Sequence, residues 1–199
     1  MNMVRVWGGG IYQQDAFYDI CDELGLMVWE EFMFACAMYP VNSEFLENVR
    51  AETEHQVKRL MHHPCIVLWS GNNENEEALV TGWYAPTKKN PFLYAVDYHR
   101  LYHETIMSTV HALDKTRAFI SSSPYNGVIA MDPFSERYVA DNGNNDAYGD
   151  VHYYNYKDKG TEVWKLRRPR FMSGGLFYQN LYHQNMDFNP CHALRQSRV

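Results

Sequence analysis

The chain has 199 residues, 46% hydrophobic and 15% aromatic, which supplies a sizeable core and excludes wholesale disorder in one compact domain or a piece of a larger one. Lys and Arg number 18 against 24 Asp and Glu, a formal charge of -6 without any basic block, which argues against nucleic acid as the main partner. No apolar run approaches the roughly 20 residues of a membrane span, so no membrane partner is expected, and MNMVRVWGGG lacks the pattern of a secretory signal peptide.

Met3 to Trp7 (MVRVW) reads as a buried strand ahead of three glycines. Residues 13 to 24 place Phe17, Ile20, Cys21 and Leu24 on one helical face, and Gly25 ends that helix. Leu26 to Trp29 is a second strand. Asn42 or Ser43 can cap a long helix with Leu46, Val49, Val57, Leu60 and Met61 inward. His63-Pro64 closes it, because a residue before proline is pushed out of helical geometry. Cys65 to Trp69 is a third strand and runs straight into SGNNENEEA. A further helical face runs through Tyr98, Leu101, Tyr102, Val110 and Leu113. Ala118 to Ser121 is a fourth strand, Asp150 to Tyr154 a fifth and Arg170 to Ser173 a sixth. Four cysteines, Cys21, Cys36, Cys65 and Cys191, are too far apart for a metal knuckle and too few for a disulfide framework. The first three sit in apolar stretches and read as buried free thiols.

Apolar strands alternating with helices predict an α/β fold, a mostly parallel sheet covered by outer helices. Both an open doubly wound sheet and a (β/α)8 barrel fit, and in both the chemistry gathers at the carboxyl ends of the strands. Here those ends carry WGGGIY, WEEF, WSGNNENE, SSSPYNG and VHYYNY, rich in Trp, Tyr, Asn and Glu.

In WSGNNENE an apolar strand delivers Glu74 directly after Asn73. A glycosidase needs a carboxylic acid beside the scissile oxygen, and profits from a neutral donor to the sugar's 2-hydroxyl whose bond strengthens in the transition state. Asn73 and Glu74 supply both groups. The same residues also fit an acidic loop, Glu74 with Glu76 and Glu77, that merely caps the following helix. Aromatic residues favour the sugar: Trp7, Trp83 and Tyr154 lie at or beyond strand ends, beside Asn73 and His152, and flat C–H faces of sugars pack on such rings.

Other chemistries fit less well. VRVWGGGIYQQ imitates a dinucleotide-binding opening, but the third glycine place holds Gln13, with bulky Tyr12 beside it, so no nicotinamide cofactor is expected. His99 and His103 are four apart with no HExxH around them, and adjacent His62 and His63 point to different faces, so solvated helix surface is expected and no metal site. Ser121 to Ser123 lack the G-x-S-x-G elbow of a serine hydrolase.

At RVWGGGIYQQDAFYDICDELGLMVWEEFMFACAMYP and again at HPCIVLWSGNNENEEA, the chain resembles the β-mannosidases of glycoside hydrolase family 2, most of all the animal lysosomal type. SSPYNG and GDVHYYNY fit as well, so the resemblance covers roughly residues 1 to 173. It implies a partial (β/α)8 TIM barrel over 1–173, barrel strands two to seven, with β-sandwich domains of the full-length enzyme missing ahead of it. It also implies removal of terminal β-mannose from oligosaccharides by a retaining mechanism with two glutamates, no cofactor, and a lysosomal location. Residue by residue, Glu74 matches the general acid/base and Asn73 the sugar-contacting asparagine. Trp7 matches the tryptophan of the RVWGG motif, Trp83 the one beyond the acid/base, and His152 and Tyr154 the pocket residues after strand six.

One departure bears on activity. The family's nucleophile is the Glu of F-x-S-E-[YF]-G after strand seven, and this chain reads Phe171-Met172-Ser173-Gly174, with glycine in the Glu position. Glycine has no side chain to attack an anomeric carbon. By register Glu30 and Glu31 are the only nearby carboxylates, and the family assigns neither that role. Residues 174–199 do not resemble the family and are expected to be a poorly ordered tail. The chain as it stands is expected to be inactive or nearly so, with a non-catalytic carbohydrate-binding remnant, or a β-galactosidase or β-glucuronidase type of family-2 enzyme, as alternatives.

Overall fold

The computed structural model describes residues 2–125, 142–144, 149–153 and 172–175. Four strands form one parallel sheet in chain order: β1 (Met3–Val6), β2 (Met27–Glu31), β3 (Ile66–Ser70) and β4 (Ala118–Ile120). Strands β5 (Val151–Tyr153) and β6 (Met172–Gly175) pair in parallel as a second, two-stranded ladder. Sequential parallel pairing with helical crossovers is the arrangement of consecutive strands in a (β/α)8 barrel, here partial and, among the described residues, not closed. Each strand lies within two residues of its expected position; the last is displaced to Met172–Gly175.

The strands alternate between two faces. Val6, Val28, Ile66, Trp69 and Phe119 face the helices and form the main core with Tyr18, Cys21, Val49, Val57 and Leu60. Trp29 and Ile120 face the other way, with Tyr125 and the partly buried Met3 and Leu68, into the concave side. Near the carboxyl ends that concave side turns polar, with Arg5, Glu31 and Ser70 following in the alternation.

Helix α1 (Asp15–Leu24) stops at Gly25, which takes the left-handed conformation at φ 67°. Tyr18 and Cys21 are buried, whereas Ile20 and Leu24 are 52% and 66% exposed, against the expected inward face. The inward line runs through Phe17, Tyr18 and Cys21 instead, because the Tyr18 hydroxyl reaches the buried Glu30 carboxyl at 3.1 Å. Helix α2 (Ser43–Leu60) begins after Asn42 and buries Val49, Val57 and Leu60; Met61, one residue past its end, is 39% exposed rather than inward. At the turn that follows, Asp22 accepts from Cys65 N at 2.7 Å and lies 2.6 Å from His63 Nδ1, fixing the entry to β3.

Two short helices, α3 (Asn75–Val80) and α4 (Ala85–Lys89), stand where the polar sequence gave no period. A rod then runs through α5 (Pro91–Tyr98), a π-helical stretch (His99–Met107) and α6 (Ser108–Leu113), burying Tyr98, Leu101, Tyr102 and Val110. His103 is buried in that rod, not solvated as expected, and burial, with His99 beside it, lowers its pKa to about 4. Cys21 and Cys65 are buried free thiols, whereas Cys36 is disulfide-bonded, contrary to expectation. Among the described residues no helix is long and apolar enough to cross a membrane, and no group of three or more His, Cys, Asp and Glu could hold a metal ion.

Candidate active site

Beyond β3 the sheet hydrogen bonding continues through Asn73, which bridges in parallel to Ala35 on one side and Ser123 on the other. Asn73 N donates to Phe34 O at 2.9 Å, Cys36 N to Asn73 O at 3.0 Å, and Glu74 N to Ser123 O at 2.7 Å. Three chain segments thus meet at the point where the strand ends. There the backbone turns abruptly: Glu74 has φ 62° and Cys36 φ 50°, the left-handed region that costs a residue with a Cβ about 1–2 kcal/mol.

The turn aims the Glu74 side chain away from its own helix. Glu74 occupies the cap position of α3, yet its carboxylate makes no capping hydrogen bond. Its Oε1 lies 2.9 Å from His152 Nδ1 instead, and its Oε2 lies 3.6 Å from Cys36 Sγ. Glu74 is 7% and His152 5% exposed, so a carboxyl and an imidazole share an almost dry contact at the mouth of the strands. The helix-capping alternative for Glu74 is thereby set aside.

Asn73 is oriented from the other side. Arg5 Nη2 donates to Asn73 Oδ1 at 2.7 Å and to Glu31 Oε1 at 2.6 Å, while Arg5 Nε reaches the same Glu31 oxygen at 2.9 Å. A guanidinium only donates, so the amide oxygen must face it, and Asn73 Nδ2 is turned to Cys36 Sγ at 3.3 Å. Glu31 also accepts from Gly8 N at 2.8 Å and from Ser70 Oγ at 3.4 Å. Neither carboxylate of β2 is a spare nucleophile: Glu31 is committed to Arg5 and Gly8, and Glu30 points under the helices toward Tyr18.

The remaining polar residues of the same run are scaffold. Asn72 Oδ1 accepts from Asn75 N at 3.0 Å and Ser122 Oγ at 2.7 Å, and Asn75 Nδ2 donates to the Tyr102 hydroxyl at 2.6 Å. The Tyr98 hydroxyl donates to Glu76 Oε2 at 3.1 Å, and burial, then the Glu76 charge, pushes that phenol well above its usual range, keeping it a donor. Within SGNNENEEA, then, Asn73 and Glu74 turn toward Arg5 and His152, and Asn72, Asn75 and Glu76 brace the turn.

His152 is itself held. Its Nε2 lies 2.9 Å from Ser123 Oγ, which donates to Asp150 Oδ2 at 2.8 Å. Asn144 brackets the His152 backbone, accepting from its N at 2.8 Å and donating to its O at 3.0 Å. Of the six expected site residues, Asn73, Glu74 and His152 come together in one cluster. Trp7 stands half-buried past β1 with its indole folded over Gly9, where a Cβ would fall 1.9 Å from the ring. Trp83 is half-buried beyond α3. Tyr154 lies outside the described residues. Arg5, Ser123 and Asp150 are not among the site residues the sequence singles out, although a lone arginine inside the strand MVRV is a visible signal; Glu31, a nearby carboxylate by register, holds Arg5.

The family model for the TIM barrel domain of glycosyl hydrolases family 2 matches residues 11–171. The chain is 48% identical over 176 residues to a β-mannosidase of Bos taurus, covering 87% of this chain and 19% of that protein. It is 50% identical over 166 residues to a β-mannosidase of Mus musculus, covering 83% of this chain and 18% of that protein. Among solved structures, the β-D-mannosidase of Dictyoglomus thermophilum superposes with a TM-score of 0.62 at 40% identity, over 82% of this chain and 17% of that one. The chain spans about a fifth of the length of the curated relatives it matches. With the parallel strands, the outer helices and the family match over most of its length, the chain belongs to glycosyl hydrolase family 2, as part of its TIM barrel domain.

Proposed function

We propose that this chain carries the acid/base half of a retaining β-mannosidase site, with Glu74 as the group that protonates the departing oxygen and later deprotonates water. The observation that carries this reading is the Glu74 carboxyl: buried at a strand end, turned off its own helix by a left-handed backbone, and in contact with His152. Asn73, its amide fixed by Arg5, supplies the hydrogen bond to the sugar's 2-hydroxyl. Trp7, Trp83, His152 and Tyr154 complete the sugar pocket, within a domain over 1–173 that a tail over 174–199 follows. The terminal β-mannose of oligosaccharides is the substrate class, and the lysosome the compartment.

Titration of the purified chain with methyl β-mannoside, followed by tryptophan fluorescence, tests the assignment. Saturable binding is expected, weakened about tenfold by Asn73→Ala, the loss of one hydrogen bond of about 1.4 kcal/mol. Absence of saturation, or equal binding of methyl β-galactoside, contradicts it.

Gly174, in β6 where the family's nucleophile is expected, favours a second reading, a non-catalytic sugar binder. Mannoside affinity that survives Glu74→Ala and is lost in Trp7→Ala, without any glycosyl transfer, is its signature.

A further inference from the structure

We infer that Gly9 is a positioning residue for Trp7: the space it leaves where a side chain would stand seats the indole on the Trp7–Gly10 turn and presets the ring as a platform for the sugar. Gly10 N donates to Trp7 O at 3.1 Å, closing a tight turn with Gly8 and Gly9 at its centre. Neither central glycine has the left-handed backbone that would itself demand glycine. The turn therefore uses their missing Cβ, each for a different neighbour. A Cβ on the buried Gly8 would fall 2.6 Å from the carbonyl oxygens of Phe32 and Phe34, so the turn lies flat against the chain beyond β2. A Cβ on the exposed Gly9 would fall 1.9, 2.2 and 2.4 Å from Cη2, Cζ2 and Cζ3 of Trp7. The six-membered half of the indole fills that space. Gly10 has room to spare, since its Cβ would meet Trp7 O at 3.4 Å, an ordinary contact.

The same turn is tied to the amide of Asn73. Gly8 N donates to Glu31 Oε2 at 2.8 Å, Arg5 Nη2 donates to Glu31 Oε1 at 2.6 Å, and the same Nη2 reaches Asn73 Oδ1 at 2.7 Å. One carboxylate thus sets both the turn that carries the indole and the side chain proposed to meet the 2-hydroxyl. The consequence for binding rests on the sugar-pocket role proposed above for Trp7. An indole already at rest on backbone loses little rotamer freedom when a C–H face of mannose packs on it, a preorganisation that raises affinity without a new contact. A side chain at position 9 would displace the ring, because the turn beneath it is pinned by Glu31 and by the Phe32 and Phe34 carbonyls.

The test is 19F NMR of the full chain labelled with 5-fluorotryptophan, with the Trp7 signal among the five tryptophans identified by its loss in Trp7→Phe. Gly9→Ala is expected to shift the Trp7 signal and leave the rest in place. It is also expected to weaken methyl β-mannoside binding, read by calorimetry, about tenfold. Gly10→Ala is expected to change neither. In Trp7→Phe the shorter side chain does not reach over residue 9, so adding Gly9→Ala is expected to cost no further affinity. An unmoved Trp7 signal in Gly9→Ala overturns the inference, as does a moved signal with unchanged affinity. An equal effect of Gly10→Ala, or a second loss of affinity in the Trp7→Phe background, overturns it too. A chain that binds no mannoside removes the sugar assignment, while the Trp7 signal still decides whether Gly9 seats the indole, so the two failures are distinguishable.

Discussion

Arg5 and Asn73, 68 residues apart in the chain, meet through a 2.7 Å hydrogen bond from Nη2 to Oδ1. Arg5 is held for that contact by Glu31, so the orientation of the Asn73 amide is set two side chains away from it. Glu31→Gln keeps the shape but removes the charge that fixes the guanidinium. It is expected to lower stability by about 2 kcal/mol, the scale of a hydrogen bond to a charged group, and to weaken methyl β-mannoside binding severalfold. Urea unfolding and the fluorescence titration measure the two effects. Unchanged binding in a destabilised variant would show that Arg5 does not orient Asn73.

Glu74 sits at φ 62°, where glycine is at no disadvantage and alanine keeps the Cβ penalty. Both substitutions delete the carboxyl, so their difference isolates the backbone. Glu74→Gly is expected to be more stable than Glu74→Ala by about 1 kcal/mol in urea unfolding. Equal stability would mean that the left-handed turn relaxes once the carboxyl is gone.

Glu30 gives a pH signature. Burial raises its pKa to about 8, outweighing the hydrogen bond from Tyr18 and the Arg59 charge. The unfolded chain releases this proton near the ordinary glutamate value of about 4.3. The folded state therefore binds more protons between those values, and stability falls as pH rises through that window, by at most about 1.4 kcal/mol per pH unit. Glu30→Gln is expected to flatten the profile and to be the more stable protein above pH 8. Parallel pH profiles for the two proteins would show that Glu30 is not held neutral.

Much of this fold was legible because it is local. The runs MVRVW, LMVW, CIVLW and AFIS are short, mostly apolar and bounded by turn residues, and each overlaps a strand of the sheet. Glu74 follows β3 and His152 lies inside β5, both in segments that a parallel sheet carries toward one mouth, and the folded chain brings them into contact. Helical faces were less secure, since Tyr18 displaced Ile20 and Leu24 once its hydroxyl found Glu30 across the layer. The short helices α3 and α4 had no apolar period to announce them. Ser123 and Asp150 lie 27 residues apart, and nothing in either neighbourhood states that a hydroxyl and a carboxylate will meet behind the same imidazole. Pairings of that kind belong to the folded arrangement of strand ends and not to any local pattern.

The role of Glu74 is tested most directly by the anomer formed when azide is supplied with 4-nitrophenyl β-mannoside. If Glu74 is the acid/base and position 174 offers no nucleophile, azide bonds to C1 from the α face as the bond to the phenol oxygen breaks and Glu74 protonates that oxygen. The product is then α-mannosyl azide, with free mannose at or near background. β-Mannosyl azide would mean that Glu74 is the nucleophile and the acid is what the chain lacks, and absence of any azide adduct would mean that Glu74 does not serve a mannosyl-transfer site.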